Sequence, residues 1–121
     1  MIIYTKEDEK IIEKYKLKNK VSFSNKRFAD NITLIDVLNL LKRFNFKCIY
    51  CNDSLKPSTW QLDHFYAKAS GGKNVIENLA PACKWCNVSK NALDGYAFIN
   101  RCIKIVNNNI LMENGKVPFP K

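Results

Sequence analysis

The chain lacks any apolar run approaching the roughly 18 residues that a membrane span needs. The stretch ITLIDVLNLL is short and carries Asp36. No basic segment followed by an apolar one opens the sequence, which begins MIIYTKEDEK, so no secretory signal is read and a reducing cytoplasm is expected. No internal repeat or low-complexity linker divides the 121 residues, which predicts a single domain. Arginine is scarce, three against 17 lysines, and asparagine and isoleucine are frequent. That bias matches an AT-rich genome, so lysine count alone says little about binding. Histidine is scarcer still: His64 is the only one, and it directly follows Asp63 in WQLDHFYAKASGG.

With 46% hydrophobic and 26% charged residues, the composition is that of a soluble globular chain rather than a disordered one. The formal charge is +9. Residues 1–47, 48–91 and 92–121 are each net positive, the first most of all. Such a surface attracts polyanions, nucleic acid foremost.

Periodicity predicts the elements. TKEDEKIIEKYKLK should be a first helix, capped by Thr5 with Asp8 and lined by Ile11, Ile12 and Tyr15. KNKVSFSNKRFADN is expected to be a loop or short extended piece. TLIDVLNLLKRF is an amphipathic helix capped at Thr33 and Asp36, with Leu34, Val37, Leu38 and Leu41 on one face. CIYCNDSLKPSTWQLDHF suggests a knuckle followed by a strand, and YAKASGGKNVIE a loop. Gly71 and Gly72 would supply positive φ there. NLAPACKWCNVSKNAL should hold a short helix opening near Pro81 to Cys83. DGYAFINRCIKIV is a last helix whose buried stripe is Phe98, Ile99, Cys102, Ile103 and Val106, ended by Asn107 to Asn109. A hairpin through Asn114-Gly115 in ILMENGKV would follow.

Four of the five cysteines form two C-x-x-C pairs, Cys48/Cys51 and Cys83/Cys86. Each pair closes a tight knuckle that points two thiolates at one ion, the pattern of a tetrahedral zinc site. Disulfides do not suit a reducing compartment, and a single redox pair would not need a second. Four thiolates leave no open position, so this zinc would be structural. Cys102 is expected to be a buried small hydrophobe. Trp60, Tyr66 and Trp85 would pack around the knuckles. Lys68, Lys73 and Lys84 are available to phosphates or simply form a solvated face.

The pairs frame a pattern: Asp63-His64, Gly71-Gly72, Asn78-Leu79, then Pro81-Ala82-Cys83-x-x-Cys86-Asn87-x-x-Lys90. Over residues 48 to about 94 this resembles the HNH nuclease family. The spacing from His64 to Asn78, Asn87 and Lys90 is similar to that in the HNH domain of the CRISPR effector nucleases. The third letter of the motif is Asn87 rather than His, a variant within the family. The resemblance implies an α+β fold with a ββα-metal core over residues 48–94. A helical N-terminal extension (1–47) and a C-terminal helix and tail (95–121) would flank it. It implies a metal-dependent endonuclease that hydrolyses DNA phosphodiester bonds to 5′-phosphate and 3′-hydroxyl ends. In it, His64 would be the general base, Asn78 would fix the loop and orient His64, and Lys90 would contact phosphate. Asp63 and Asn87 would hold one divalent ion.

The residues suit that chemistry. A neutral imidazole is a competent base near pH 7. A carboxylate and an amide oxygen are hard ligands, which favours Mg²⁺ or Mn²⁺. Neighbours on a strand point to opposite faces, so Asp63 and His64 both serve one phosphate only if the strand ends or twists there. On the residues alone, Asp63, Asn78 and Asn87 also suit caps or turns, and Asn91 suits polar surface better than a second place on the metal side. Small size fits a phage or bacterial enzyme, acting alone, as a homodimer, or in a larger nucleic-acid-processing assembly. A reading from another class is a non-catalytic zinc-stabilised DNA-binding module or phage packaging adaptor. A bacteriocin-like toxin would carry a secretion region, which is not seen. RNA as substrate stays open.

Overall fold

The computed structural model describes residues 3–28 and 31–113. Three helices come first. α1 (Lys6–Lys14) starts at Thr5, whose hydroxyl accepts from the Asp8 amide at 3.0 Å. Side chains of this kind satisfy N–H groups that a helix start leaves without partners. α3 (Leu34–Arg43) starts the same way, with Thr33 accepting from the Asp36 amide at 3.3 Å. Its Val37, Leu38, Leu40 and Leu41 are buried.

Between them the expected loop is a helix, α2 (Leu17–Phe28). Lys16, at φ +56°, breaks it from α1. Leu17 is buried, Val21 packs on the core, and Ser24 is buried one turn further on. That is helical spacing, but Ser24 puts a hydroxyl on the inner face and conceals the pattern. Asn25 closes the connection to α3 with a reciprocal pair, donating to the Ile32 carbonyl at 2.8 Å and accepting its amide at 2.7 Å.

The core gathers Ile12, Leu17, Val37, Leu38 and Leu41 around Trp60. The Trp60 indole donates to the Tyr15 carbonyl at 2.8 Å, so its polar edge is satisfied inside. Trp60 thus belongs to the helical core, whereas Trp85 is 81% exposed and Tyr66 is exposed, so neither of these packs beneath the knuckles.

A two-stranded antiparallel sheet follows, β1 (Gln61–His64) with β2 (Leu79–Ala82). Its register pairs Asp63 with Ala80 and His64 with Leu79. Pro81 lies in β2 and not in a helix. In a two-stranded sheet every strand is an edge, where a missing N–H is tolerated. The Pro81 carbonyl instead accepts from the Ile49 amide at 2.9 Å, tying the first knuckle to the end of β2.

α4 (Lys84–Lys90) opens at Cys83, and α5 (Gly95–Glu113) runs past Asn107 to Asn109. The start of ILMENGKV is therefore helical, and the Asn114-Gly115 turn lies outside the described residues. α5 docks through Phe98, whose ring meets Tyr50 edge-on at 5.3 Å. The rest of its stripe is not buried: Ile99, Cys102, Ile103 and Val106 are exposed. Periodicity marks an apolar face but does not supply an element to cover it. Among the described residues no helix is long and apolar enough to cross a membrane.

Candidate active site and metal centre

The first knuckle is a tight reversal. Cys48 N–H donates to the Asp53 carbonyl at 2.9 Å, Asn52 N–H to the Cys48 carbonyl at 3.0 Å, and Asn52 takes φ +63°. The second knuckle is a helix start: Cys83 caps α4, and Cys86 lies in its first turn. The ligand atoms of Cys48, Cys51, Cys83 and Cys86 all lie within 4.8 Å of one another, and the Cys51 and Cys83 sulfurs are 3.8 Å apart. A tetrahedron with Zn–S bonds of about 2.3 Å has sulfurs about 3.8 Å apart, so the cluster has the size a zinc ion needs. Backbone amides of Tyr50 and Cys86 each lie 3.4 Å from a cysteine sulfur, on Cys48 and Cys83 respectively. Such donors favour the thiolate that a metal requires. Without an ion, burial pushes the Cys51 thiol up to about 11, and burial also raises Cys86.

The second constellation lies at the end of β1. Asp63 and His64 both line a cavity of about 320 Å³, with Asn87, Lys90 and Asn91 from the α4 side. α2 adds Lys20, Phe23, Ser24 and Arg27, and the loop after β1 adds Lys68. His64 is the last residue of β1, so the strict alternation of faces need not continue past it. The two neighbours take different partners. Asp63 is 6% exposed; its Oδ2 accepts the Tyr50 hydroxyl at 2.6 Å and its Oδ1 faces the Lys90 ammonium at 3.3 Å. The His64 ring meets Asn74 Oδ1 at 2.9 Å through Nε2. Burial lowers the His64 pKa below its ordinary value, against the opposing pulls of Asn74 and Asp63. Burial and the Asp63 carboxylate raise that of Tyr50, which keeps its hydroxyl a donor.

Lys90 lines the cavity but is already engaged by protein partners. It is 1% exposed, and its ammonium donates to the His64 carbonyl at 2.9 Å as well as to Asp63.

Asn78 clamps the loop. Its amide donates to the Tyr66 carbonyl at 3.0 Å and the Lys73 carbonyl at 2.8 Å, and its oxygen accepts the Tyr66 amide at 2.8 Å. Gly71 takes φ +91°, as a turn there requires, but Gly72 is needed for a different reason: a Cβ would lie 1.8 Å from the Tyr66 carbonyl oxygen. Asn74, Tyr50 and Ser24 escaped sequence reasoning. Asn74 is a polar residue in a polar loop, and Ser24 lies outside the knuckles altogether.

The family model described as HNH endonuclease matches residues 48–93. The matched segment is similar to the HNH endonuclease domain. The whole constellation of cysteines, Asp63, His64, Asn78, Asn87 and Lys90 falls within it. Among solved structures the chain is similar to the Type II-C Cas9 enzyme from Actinomyces naeslundii, with a TM-score of 0.50 and 25% sequence identity. That likeness covers 79% of this chain and 10% of the Cas9 chain, so this chain spans about a tenth of that enzyme. No curated protein matches. The two-stranded sheet, α4 and the four clustered cysteines make up the HNH fold around the site.

Proposed function

We propose that the HNH domain is a metal-dependent endonuclease that hydrolyses DNA phosphodiester bonds, with zinc held by Cys48, Cys51, Cys83 and Cys86. The observation that carries it is the convergence of Asp63, His64 and Asn87 on one cavity whose rim also bears Lys20, Arg27 and Lys68. A single imidazole held neutral by burial is a usable base beside cationic side chains that attract phosphate.

A carboxylate and an amide oxygen on one cavity are hard donors that fit Mg²⁺ or Mn²⁺, held by Asp63 and Asn87. Such an ion, when bound, would neutralise charge on a phosphoryl oxygen and ease departure of the 3′ oxygen. His64 takes a proton from the attacking water. Lys90 acts from beneath: it holds the Asp63 carboxylate and the His64 carbonyl, which fixes the end of β1. Asn78 keeps the loop after His64 closed through three hydrogen bonds. α2 supplies basic side chains and Phe23 at the cavity wall, a surface suited to a nucleic-acid strand.

One observation favours the non-catalytic alternative, a zinc-stabilised DNA-binding or packaging adaptor. Both Asp63 oxygens are already engaged, by Lys90 and Tyr50, and a cation must share that carboxylate with them. Incubating supercoiled plasmid with the protein, in Mg²⁺ or in EDTA, beside a zinc-loaded His64→Ala variant separates the readings. Mg²⁺-dependent nicking that falls by at least about 10²-fold in the variant is expected. Absence of cleavage by folded wild type on DNA and RNA would leave the adaptor reading.

A further inference from the structure

We propose that Asn74 is a positioning residue that fixes His64 as the Nε2-protonated tautomer, with Ser24 of α2 setting the direction of the Asn74 amide. The inference rests on His64 as the base of the reaction above, but the tautomer itself is measurable without any reaction.

The geometry is specific. Asn74 is 2% exposed, between the Gly-Gly turn and Asn78. Its Oδ1 lies 2.9 Å from His64 Nε2 and 3.1 Å from the Ser24 hydroxyl, which donates to it. An amide oxygen has two lone pairs and no proton, so it only accepts. Ser24 fills one lone pair. The other meets Nε2, which must therefore carry the ring proton. Valence then decides the remaining nitrogen: in the neutral ring Nδ1 is unprotonated, and it is the atom that takes a proton from water.

A second observation points the same way. The Asn74 amide nitrogen is buried and has no hydrogen-bond partner among the described residues. A buried donor left unsatisfied is unfavourable, so an asparagine placed here for packing alone is a poor choice. The site uses the oxygen. Aspartate would offer the same oxygen without the stranded donor, but its charge would favour the imidazolium and remove the base. A neutral acceptor that holds the ring without charging it is what asparagine provides at this position. Ser24 lies on α2, outside the matched segment, so the N-terminal helices take part in preparing the base.

The lone histidine makes the test clean. Long-range ¹H–¹⁵N correlation spectra of the full-length, zinc-loaded, ¹⁵N-labelled protein in mildly alkaline solution report which imidazole nitrogen is protonated. Wild type should show a protonated Nε2 and an unprotonated Nδ1. Asn74→Ala should move the ring toward a mixture of tautomers, and Ser24→Ala, a milder change that keeps the amide, should do so partially. Where nicking is measurable, Asn74→Ala should lower kcat by about 10–100-fold with KM changed much less. An Nδ1-protonated ring in wild type, meaning a reversed amide, would overturn the proposal. So would an unchanged tautomer in a folded Asn74→Ala protein. If Asn74→Ala fails to fold, the Ser24→Ala spectrum decides. If wild type cuts nothing, the nuclease reading fails while the tautomer result still stands or falls by itself.

Discussion

The Lys90 ammonium sits 3.3 Å from Asp63 Oδ1 in a setting where neither group reaches solvent freely. Removing one partner of such a pair leaves a buried charge uncompensated, which costs about 3–5 kcal/mol. Lys90→Met should therefore lower stability in denaturant unfolding by that order. A double variant with Asp63→Asn should recover part of the loss. A Lys90→Met protein of wild-type stability whose only defect is a raised KM for DNA would show that Lys90 contacts phosphate after all.

The four-sulfur cluster makes a stoichiometric demand. One zinc per chain should be found by elemental analysis, and Cys83→Ser should lose it. Because α4 starts at Cys83, the loss should cost the short helix and lower the melting temperature sharply. Strong chelators should do the same to wild type, and added zinc should reverse it. Cys102→Ser should leave zinc content unchanged, since Cys102 lies outside the cluster.

Two glycines are held by close approach. A Cβ at Gly95 would lie 2.1 Å from the Phe65 ring, which is flanked by Tyr50, Tyr66 and Tyr96. A Cβ at Gly72 would strike the Tyr66 carbonyl oxygen. Each substitution to alanine should cost about 1–3 kcal/mol or more, because the neighbour has little room to yield. Gly71→Ala meets open space and should suffer only the strain of its positive φ. Thermal melts of the three variants test the ranking.

Stability should fall toward acid partly through Asp8. The Lys42 ammonium, 2.7 Å away, holds the Asp8 carboxyl below the ordinary carboxylate value. A depressed folded-state pKa means the contribution is present above the unfolded value and disappears as pH falls through the folded one. Asp8→Asn and wild type should thus differ slightly near neutral pH and converge in acid. Salt should narrow the difference, since the pair lies at the surface.

Much of the site was legible because its chemistry is encoded in residue type and spacing. The two C-x-x-C pairs need each sulfur to face one ion, and the observed cluster has that size. α1 and α3 were legible because threonine caps and apolar periodicity agree. α2 was not, since Ser24 occupies an inward position that only Asn74, 50 residues away, makes sensible. α4 opens at Cys83, inside the expected window, while Pro81 pairs in β2, since helix starts and edge strands both tolerate a missing N–H. The α5 stripe misled because a pattern of apolar residues does not say whether anything packs on it.

By itself the amino-acid sequence determined which groups the candidate site contains: four thiols in knuckle spacing, one imidazole beside one carboxylate, and the asparagines at 78 and 87. Covalent spacing along a short segment constrains such local geometry strongly. The tertiary structure alone decided how those groups are charged, held and aimed. It buried Lys90 against Asp63, set the Tyr50 hydroxyl on the same carboxylate, and brought Asn74, itself held by Ser24, to the His64 ring. Burial and hydrogen bonding between distant segments control protonation and orientation, and those distances exist only once the chain has folded.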